Sequence, residues 1–341
     1  MVKNIEKGFP MNTLIKQMSD FRNNFVMILA VFAVLVGCEP AKHQTGTATM
    51  CPIEIFETSQ GFVITEGKAK VMLYQREHKS LNGKYSRANY IHPLYGLDGE
   101  TLTEDFPTDH LHHRGIFWAW HQVWLGDRRL GDPWAAKDFL WDVYDTKILP
   151  ADSKSRALQV HVYWKSPFWT DANGKQKAFV KETTTIRVYR ARDDIRKVDF
   201  QINLLALEDG VRIGGSEDDK GYGGFTTRIL LPDGLSFTGS NGPVEPNRLS
   251  VEAGPWLDFS GNFNKDGKVS GLAILCHNSS PGYPQRWILR RKASAQNPVY
   301  PGRHPILLSR EKPLVLRYRL IIHRGNVHQV NLDKLQAEYN S

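Results

Sequence analysis

The sequence predicts an all-β fold, a large antiparallel β-sandwich with one short C-terminal helix. Three observations predict it. Apolar residues recur at every second position in short runs, the period that gives a strand one core face and one solvent face. Turn dipeptides punctuate the runs: Asn82-Gly83, Asp98-Gly99, Asn173-Gly174, Asp209-Gly210, Asp233-Gly234, Asn241-Gly242 and Asp266-Gly267. Helical periodicity, finally, is nearly absent from the 341 residues.

The first element is a leader. Residues 25–37 form a run of 13 without a charge, too short for a spanning helix, which needs about 20. The run follows Lys3, Lys7, Lys16 and Arg22 and ends Leu35-Val36-Gly37-Cys38. A basic start, an apolar middle and small residues at the cut are the layout of a signal peptide. The last four residues resemble a bacterial lipobox, so Cys38 is expected to be lipidated, against the alternative of an unlipidated secretory leader. The chain then divides into a leader over 1–37, a polar tether over 38–51 and a single β-sandwich catalytic domain over 52–341. It is expected in the bacterial cell envelope, periplasmic or on the outer-membrane surface, touching the membrane only through its lipid.

Composition narrows the partners. Lys and Arg number 44 against 36 Asp and Glu, a formal net charge of +8. For an exported chain this argues against nucleic acid and for anionic glycans or a membrane surface. Three cysteines exclude a disulfide scaffold or a multi-cysteine zinc module. Cys51 and Cys276 are expected to be inert buried thiols. Nothing in the sequence sets an oligomeric state.

The strands follow in order. Residues 157–164 put Leu158, Val160, Val162 and Trp164 on one face, and 183–189 and 198–205 continue the alternation. Residues 314–323 place Leu316, Tyr318, Leu320 and Ile322 on one face and Arg317, Arg319 and His323 on the other. Residues 328–339 carry Leu332, Leu335 and Tyr339 at helical spacing and predict the terminal helix.

Unusual chemistry gathers in three stretches. Residues 108–115 read Thr-Asp-His-Leu-His-His-Arg-Gly, with three histidines in four positions. On an extended chain His110 and His112 share a face and His113 falls on the other. Such a cluster can move protons, bind sugar hydroxyls or bind metal. No metal is expected, although a divalent ion at the cluster stays open, with Asp109, His277 or His323 as a distant further ligand. The plain alternative is that one or more of the three histidines are core residues. Residues 214–224, rich in glycine, lack the Gly-Lys-Ser/Thr pattern of a phosphate loop. They read either as a mobile loop presenting Lys220 and Tyr222 over a cleft or as a glycine-rich hairpin turn. Residues 277–287 leave an apolar strand and offer His277, Arg286 and Trp287, the last two as an anion contact and a stacking platform or as ordinary packing. Nine tryptophans exceed the needs of the core and suit sugar rings. No Gly-x-Ser-x-Gly, His-Glu-x-x-His or dinucleotide motif occurs, and no organic cofactor is implied.

Taken together, Arg87 to Gly96, the Asp109-His-Leu-His-His-Arg-Gly115 motif, Lys220-Gly-Tyr-Gly-Gly224, residues 254–261, residues 271–278 and residues 317–325 resemble the DUF6807 family. The likeness spans about 53–325. Leu111 stands where the family often has proline. The label of a methane oxygenase subunit that the family often carries does not suit a chain with one cleavable apolar segment. The resemblance implies an exported, supersandwich-like protein of glycan degradation, with sugar dehydration or lyase-type elimination favoured.

For elimination beside a carboxylate, the carboxylate must be neutralised while a base takes the neighbouring proton and an acid protonates the leaving oxygen. His110, His113 and Tyr222 are expected as base and acid, and Arg114 with Lys220 or Arg228 as the neutralising charges. His112 and His277 would orient an anionic oligosaccharide. Three alternatives stay open: a glycoside hydrolase drawing a carboxylate pair from Glu100, Glu104, Asp105 and Asp109, a mutarotase or epimerase, and a non-catalytic glycan-binding lipoprotein.

Overall fold

Two antiparallel sheets build the sandwich. The computed structural model describes residues 52–264, 267–293 and 295–341; the leader, Cys38, the tether and Cys51 lie outside them. One sheet has six strands in the order Ile53–Glu57, Gly61–Glu66, Ala69–Gln75, Tyr90–Leu94, Ile116–Ala119 and Gly224–Thr227. The other has nine. Four long strands lead it: Leu140–Ile148, Ser155–Thr170, Gln176–Tyr189 and Ile195–Ala206. Leu314–Arg324, Ser270–Cys276, Trp256–Gly261, Ser236–Gly239 and Gly242–Pro243 complete it. The all-β prediction holds.

Alternation explains the core. Leu158 pairs with Ile186, Ile186 with Phe200, Phe200 with Tyr318 and Tyr318 with Cys276, so one apolar row crosses five strands. Every member is buried, and burying a side chain of this kind contributes roughly 1.5–3 kcal/mol. The facing sheet answers with Phe62, Ile64, Ile91, Ile116 and Trp118. Phe225 stacks on Tyr318 at 4.5 Å between ring centres and joins the two layers. Cys276 lies within this core, and burial pushes its thiol pKa up, as an inert cysteine requires.

The solvent faces of the two sheets differ. On the nine-stranded sheet Trp256, Leu275 and Ile321 are covered by Leu332 and Leu335 of the C-terminal helix Leu332–Asn340. The helix begins four residues later than predicted. Residues Val327–Gln329 instead make a short 3-10 turn, and Asn331 caps the helix by accepting the Lys334 amide. Among the described residues no helix is long and apolar enough to cross a membrane.

On the six-stranded sheet a smaller apolar patch of Tyr90, Phe117, Ala119 and Trp134 faces outward. Beside it lies a four-stranded sheet of Ile306–Leu307, Val211–Gly214, Gln122–Leu125 and Arg128–Gly131. This sheet carries His121 at one strand start and the glycine-rich loop at another strand end.

Candidate functional site

A cleft of about 420 Å³ opens on the outward patch of the six-stranded sheet. His110, His112, His113, Lys220 and Tyr222 line it, so five of the eight residues singled out for catalysis or substrate binding meet in one place.

The histidine segment is not extended. The His110 amide donates to Pro107 O at 3.1 Å and the His113 amide to His110 O at 2.8 Å, closing two successive turns. The two-residue period therefore does not apply, and His113 joins His110 and His112 instead of facing away. Ring centres are 4.7 Å apart for His110 and His113, 4.6 Å for His112 and His113, and 5.7 Å for His110 and His112. His110 and His113 are stacked within 6° of parallel. Parallel rings cannot aim in-plane lone pairs at one point, so these two cannot share a metal ion in this arrangement. Among the described residues no group of three His, Cys, Asp or Glu side chains is placed to hold one.

Burial sets the charge of this cluster. His113 is pushed far below the usual histidine range, first by burial and then by the charges of its neighbours. His112 falls to about 4, again through burial first and then Arg87. Both are neutral imidazoles near pH 7, able to hydrogen-bond but not to neutralise an anion.

Two expected substrate contacts lie behind the cleft instead of in it. Arg114 is fully buried under the histidine turn. It donates to Leu111 O at 2.9 Å and to Tyr85 O, sits 3.4 Å from Asp105, and stacks on Phe106. Arg228, also buried, donates to Glu104 at 2.7 Å and to both oxygens of Asp109 at 2.8 and 3.0 Å. Both charges are spent holding the turn in shape. Elsewhere in the fold His277 packs edge-on against Tyr339 at 4.9 Å, its Nδ1 accepting the Ser279 amide. It leaves the nine-stranded sheet, whereas the cleft belongs to the other.

Further expectations are corrected. Trp287 is buried and donates to Gly254 O, and Arg286 pairs with Glu252, so no stacking platform forms. Seven of the nine tryptophans are buried, which assigns them to packing; of the nine only Trp134 lines the cleft. None of Glu100, Glu104, Asp105 and Asp109 lines it either.

The glycine-rich loop does present Lys220 and Tyr222, but it is cross-braced. Ser216 N donates to Tyr222 O at 2.9 Å and Tyr222 N to Ser216 Oγ at 3.2 Å. Gly215 and Gly221 make this possible, because a Cβ on Gly215 would lie 2.1 Å from Gly221 O. The buried amide of Asn297 bonds Gly223 N at 3.1 Å and Phe225 O at 2.7 Å and pins the loop base. Lys220 pairs with Asp218 at 2.9 Å.

Sequence reasoning missed a second group of residues. His121 Nδ1 lies 2.9 Å from Asp132 Oδ2. A carboxylate only accepts, so Nδ1 carries the proton and the Nε2 of a neutral ring presents its lone pair. That Nε2 is buried and has no partner. Asp132 is itself fixed by the Ala135 amide at 3.0 Å. Partial burial raises its pKa, but the His121 bond and charge outweigh this and leave it lowered. The His121 ring stacks on Trp134 at 5.3 Å and meets Tyr222 edge-on at 4.9 Å. Burial raises the Tyr222 pKa, so its phenol keeps its proton. Arg290 also lines the cleft. Its guanidinium is held by the carbonyls of Asn247, Leu289 and Arg248, with no carboxylate in ion-pair range among the described residues. One signal for His121 was available. Phe117, Ala119 and His121 continue a two-residue alternation, which puts His121 on the outward face. Nothing in the sequence marked Asp132, Trp134 or Arg290.

No curated protein matches the chain. The sequence model of a family described as a family of unknown function, DUF6807, matches residues 62–337. That span takes in the histidine turn, the His121–Asp132 pair, the glycine-rich loop and Arg290, and the chain belongs to the DUF6807 family.

Proposed function

We propose that the cleft eliminates water or a glycosidic oxygen from an anionic, uronate-type oligosaccharide, outside the cytoplasm, on a chain anchored through Cys38. The observation that carries this reading is the His121–Asp132 pair, whose Nε2 is unpartnered and whose ring packs edge-on against Tyr222 in a cleft that two cations also line. The expected roles shift accordingly.

Arg290 neutralises the substrate carboxylate in place of the buried Arg114 and Arg228, and Lys220 joins it by exchanging Asp218 for the substrate. Neutralisation makes the adjacent C5 proton acidic enough for an imidazole to remove. His121 Nε2 takes that proton, and Asp132 holds the ring in the right tautomer and stabilises the imidazolium that forms. The electron pair of the C–H bond becomes the new C4–C5 double bond as the C4–O bond breaks. Tyr222, protonated because its pKa is raised, gives its proton to the departing oxygen. The products are an unsaturated uronate and either water or the shortened chain. His110, His112 and His113 form the wall against which sugar hydroxyls are positioned; two of them, His112 and His113, are neutral. Among the described residues no carboxylate pair lines the cleft, and this favours elimination over hydrolysis.

The test is ultraviolet absorbance from the conjugated product, with product masses, on a panel of uronate oligosaccharides. The wild type should produce the absorbance, and His121→Ala and Tyr222→Phe should each lose about 10²–10⁴-fold in turnover while melting normally. Full activity in both variants would refute the assignment. A gain of water without absorbance would move the reading to a hydrolase.

A further inference from the structure

A second groove, of about 540 Å³, lies on the solvent face of the nine-stranded sheet beside the C-terminal helix. It shares no residue with the histidine cleft. Lys154, Arg190, Arg192, Lys197, Arg319 and Lys334 line it, against Asp193 and Glu338. Lys197 is taken by Glu338 at 3.2 Å and Arg319 by Asp199 at 2.6 Å. Lys154, Arg190, Arg192 and Lys334 have no carboxylate within ion-pair distance among the described residues. Four uncompensated cations around one concavity repel each other, an arrangement that an anionic occupant relieves.

Hydrogen bonds brace the walls. Asp152 Oδ1 accepts the amides of Lys154 and Ser155 at 2.7 and 2.6 Å, and the Arg190 amide donates to Lys154 O at 3.0 Å. Arg192 and Ile195 exchange backbone bonds of 2.8 and 2.9 Å around a two-residue turn. Glu66 ties that segment down by accepting from Ala191 N and from the buried Arg196. The cations thus project from three fixed elements: two turns and the helix. The floor includes Ile195, Val330 and Leu335, an apolar surface for the face of a sugar ring.

We infer that this groove binds an anionic glycan, one carrying repeated carboxylates or sulfates. Charges on three separate elements suit a chain with several anionic groups better than a single phosphate. A membrane is the poorer fit, because the site is concave and no exposed large apolar side chain lines it, whereas surface-bound proteins insert such groups. The inference rests on different residues from the elimination reading and stands if the cleft does other chemistry.

The test is affinity electrophoresis of the full chain through gels containing polygalacturonate, dextran sulfate or neutral dextran, with pelleting on phosphatidylglycerol vesicles alongside. The protein should be retarded by at least one of the anionic polymers and not by dextran. An Arg190→Ser/Arg192→Ser/Lys334→Ser variant with unchanged circular dichroism should lose roughly tenfold or more in Kd for the retarding polymer, and Lys175→Ser, an exposed cation that lines neither the groove nor the histidine cleft, should not. No retardation, an unaffected triple variant, or an equal loss from Lys175→Ser would each overturn the inference. So would binding to vesicles with none to either polymer.

Discussion

His323 carries a charged group to a place where water does not reach. The sequence put it on a polar face with Arg317 and Arg319, and the face is right, yet both His323 and its partner Asp258 are fully buried. Nε2 lies 2.8 Å from Asp258 Oδ1, and Ser260 Oγ donates to the other oxygen. Burial lowers the His323 pKa, but the bond to Asp258 and its charge outweigh burial and leave it raised. A raised folded-state value means the stabilisation is complete below the unfolded pKa of about 6.5 and is lost as pH rises through the folded value. His323→Ala should cost about 3–5 kcal/mol by leaving the Asp258 charge buried without its ion-pair partner. His323→Gln keeps a donor that does not titrate. The stability difference between wild type and that variant, from urea unfolding, should shrink as pH rises; a constant difference would remove the titration argument.

Turns decide the site where individual elements are concerned. Alternation read the long strands correctly, because each has one face in a core and one in solvent. It misread the histidine segment, because the bond from His113 N to His110 O folds three rings onto one side. A turn of this kind leaves no periodic trace in sequence. The glycine-rich loop was legible as unusual, but its bracing was not: the Ser216–Tyr222 bond depends on how the loop closes on itself, and Asn297 is brought from far along the chain. Gly215→Ala tests the loop. Its Cβ must push Gly221 away, an overpacking cost of about 1–3 kcal/mol, and Lys220 and Tyr222 move with it. Elimination should fall steeply while the protein still unfolds cooperatively; unchanged turnover would mean the loop does not position the site.

At the scale of the whole molecule, the two sheets are joined by a carboxylate as well as by apolar packing. Glu182 is completely buried and accepts from Trp118 Nε1 at 2.7 Å and Asn89 Nδ2 at 2.8 Å on the six-stranded side. From the nine-stranded side it accepts from Trp164 Nε1 and Thr184 Oγ1, both at 2.8 Å. Burial raises its pKa, and the four donors pull it only part of the way back. Glu182→Gln turns an amide donor toward groups that are themselves donors and should cost about 1–3 kcal/mol. Glu182→Leu strands the two indole N–H groups as well and should cost more. Thermal melting that ranks leucine above glutamine would contradict this account. The alternation of Val180, Glu182, Thr184 and Ile186 already pointed Glu182 inward, but the tryptophans that bind it come from other strands. Strand period, turn dipeptides, the late helix and the family were determined by the sequence alone, because each depends on residues close in the chain or on a pattern along it. The cleft, the His121–Asp132 pair, the diversion of Arg114 and Arg228 into bracing and the basic groove were decided only by tertiary structure. Their energetics depend on which charges share a dry space, and strands far apart in sequence bring those charges together.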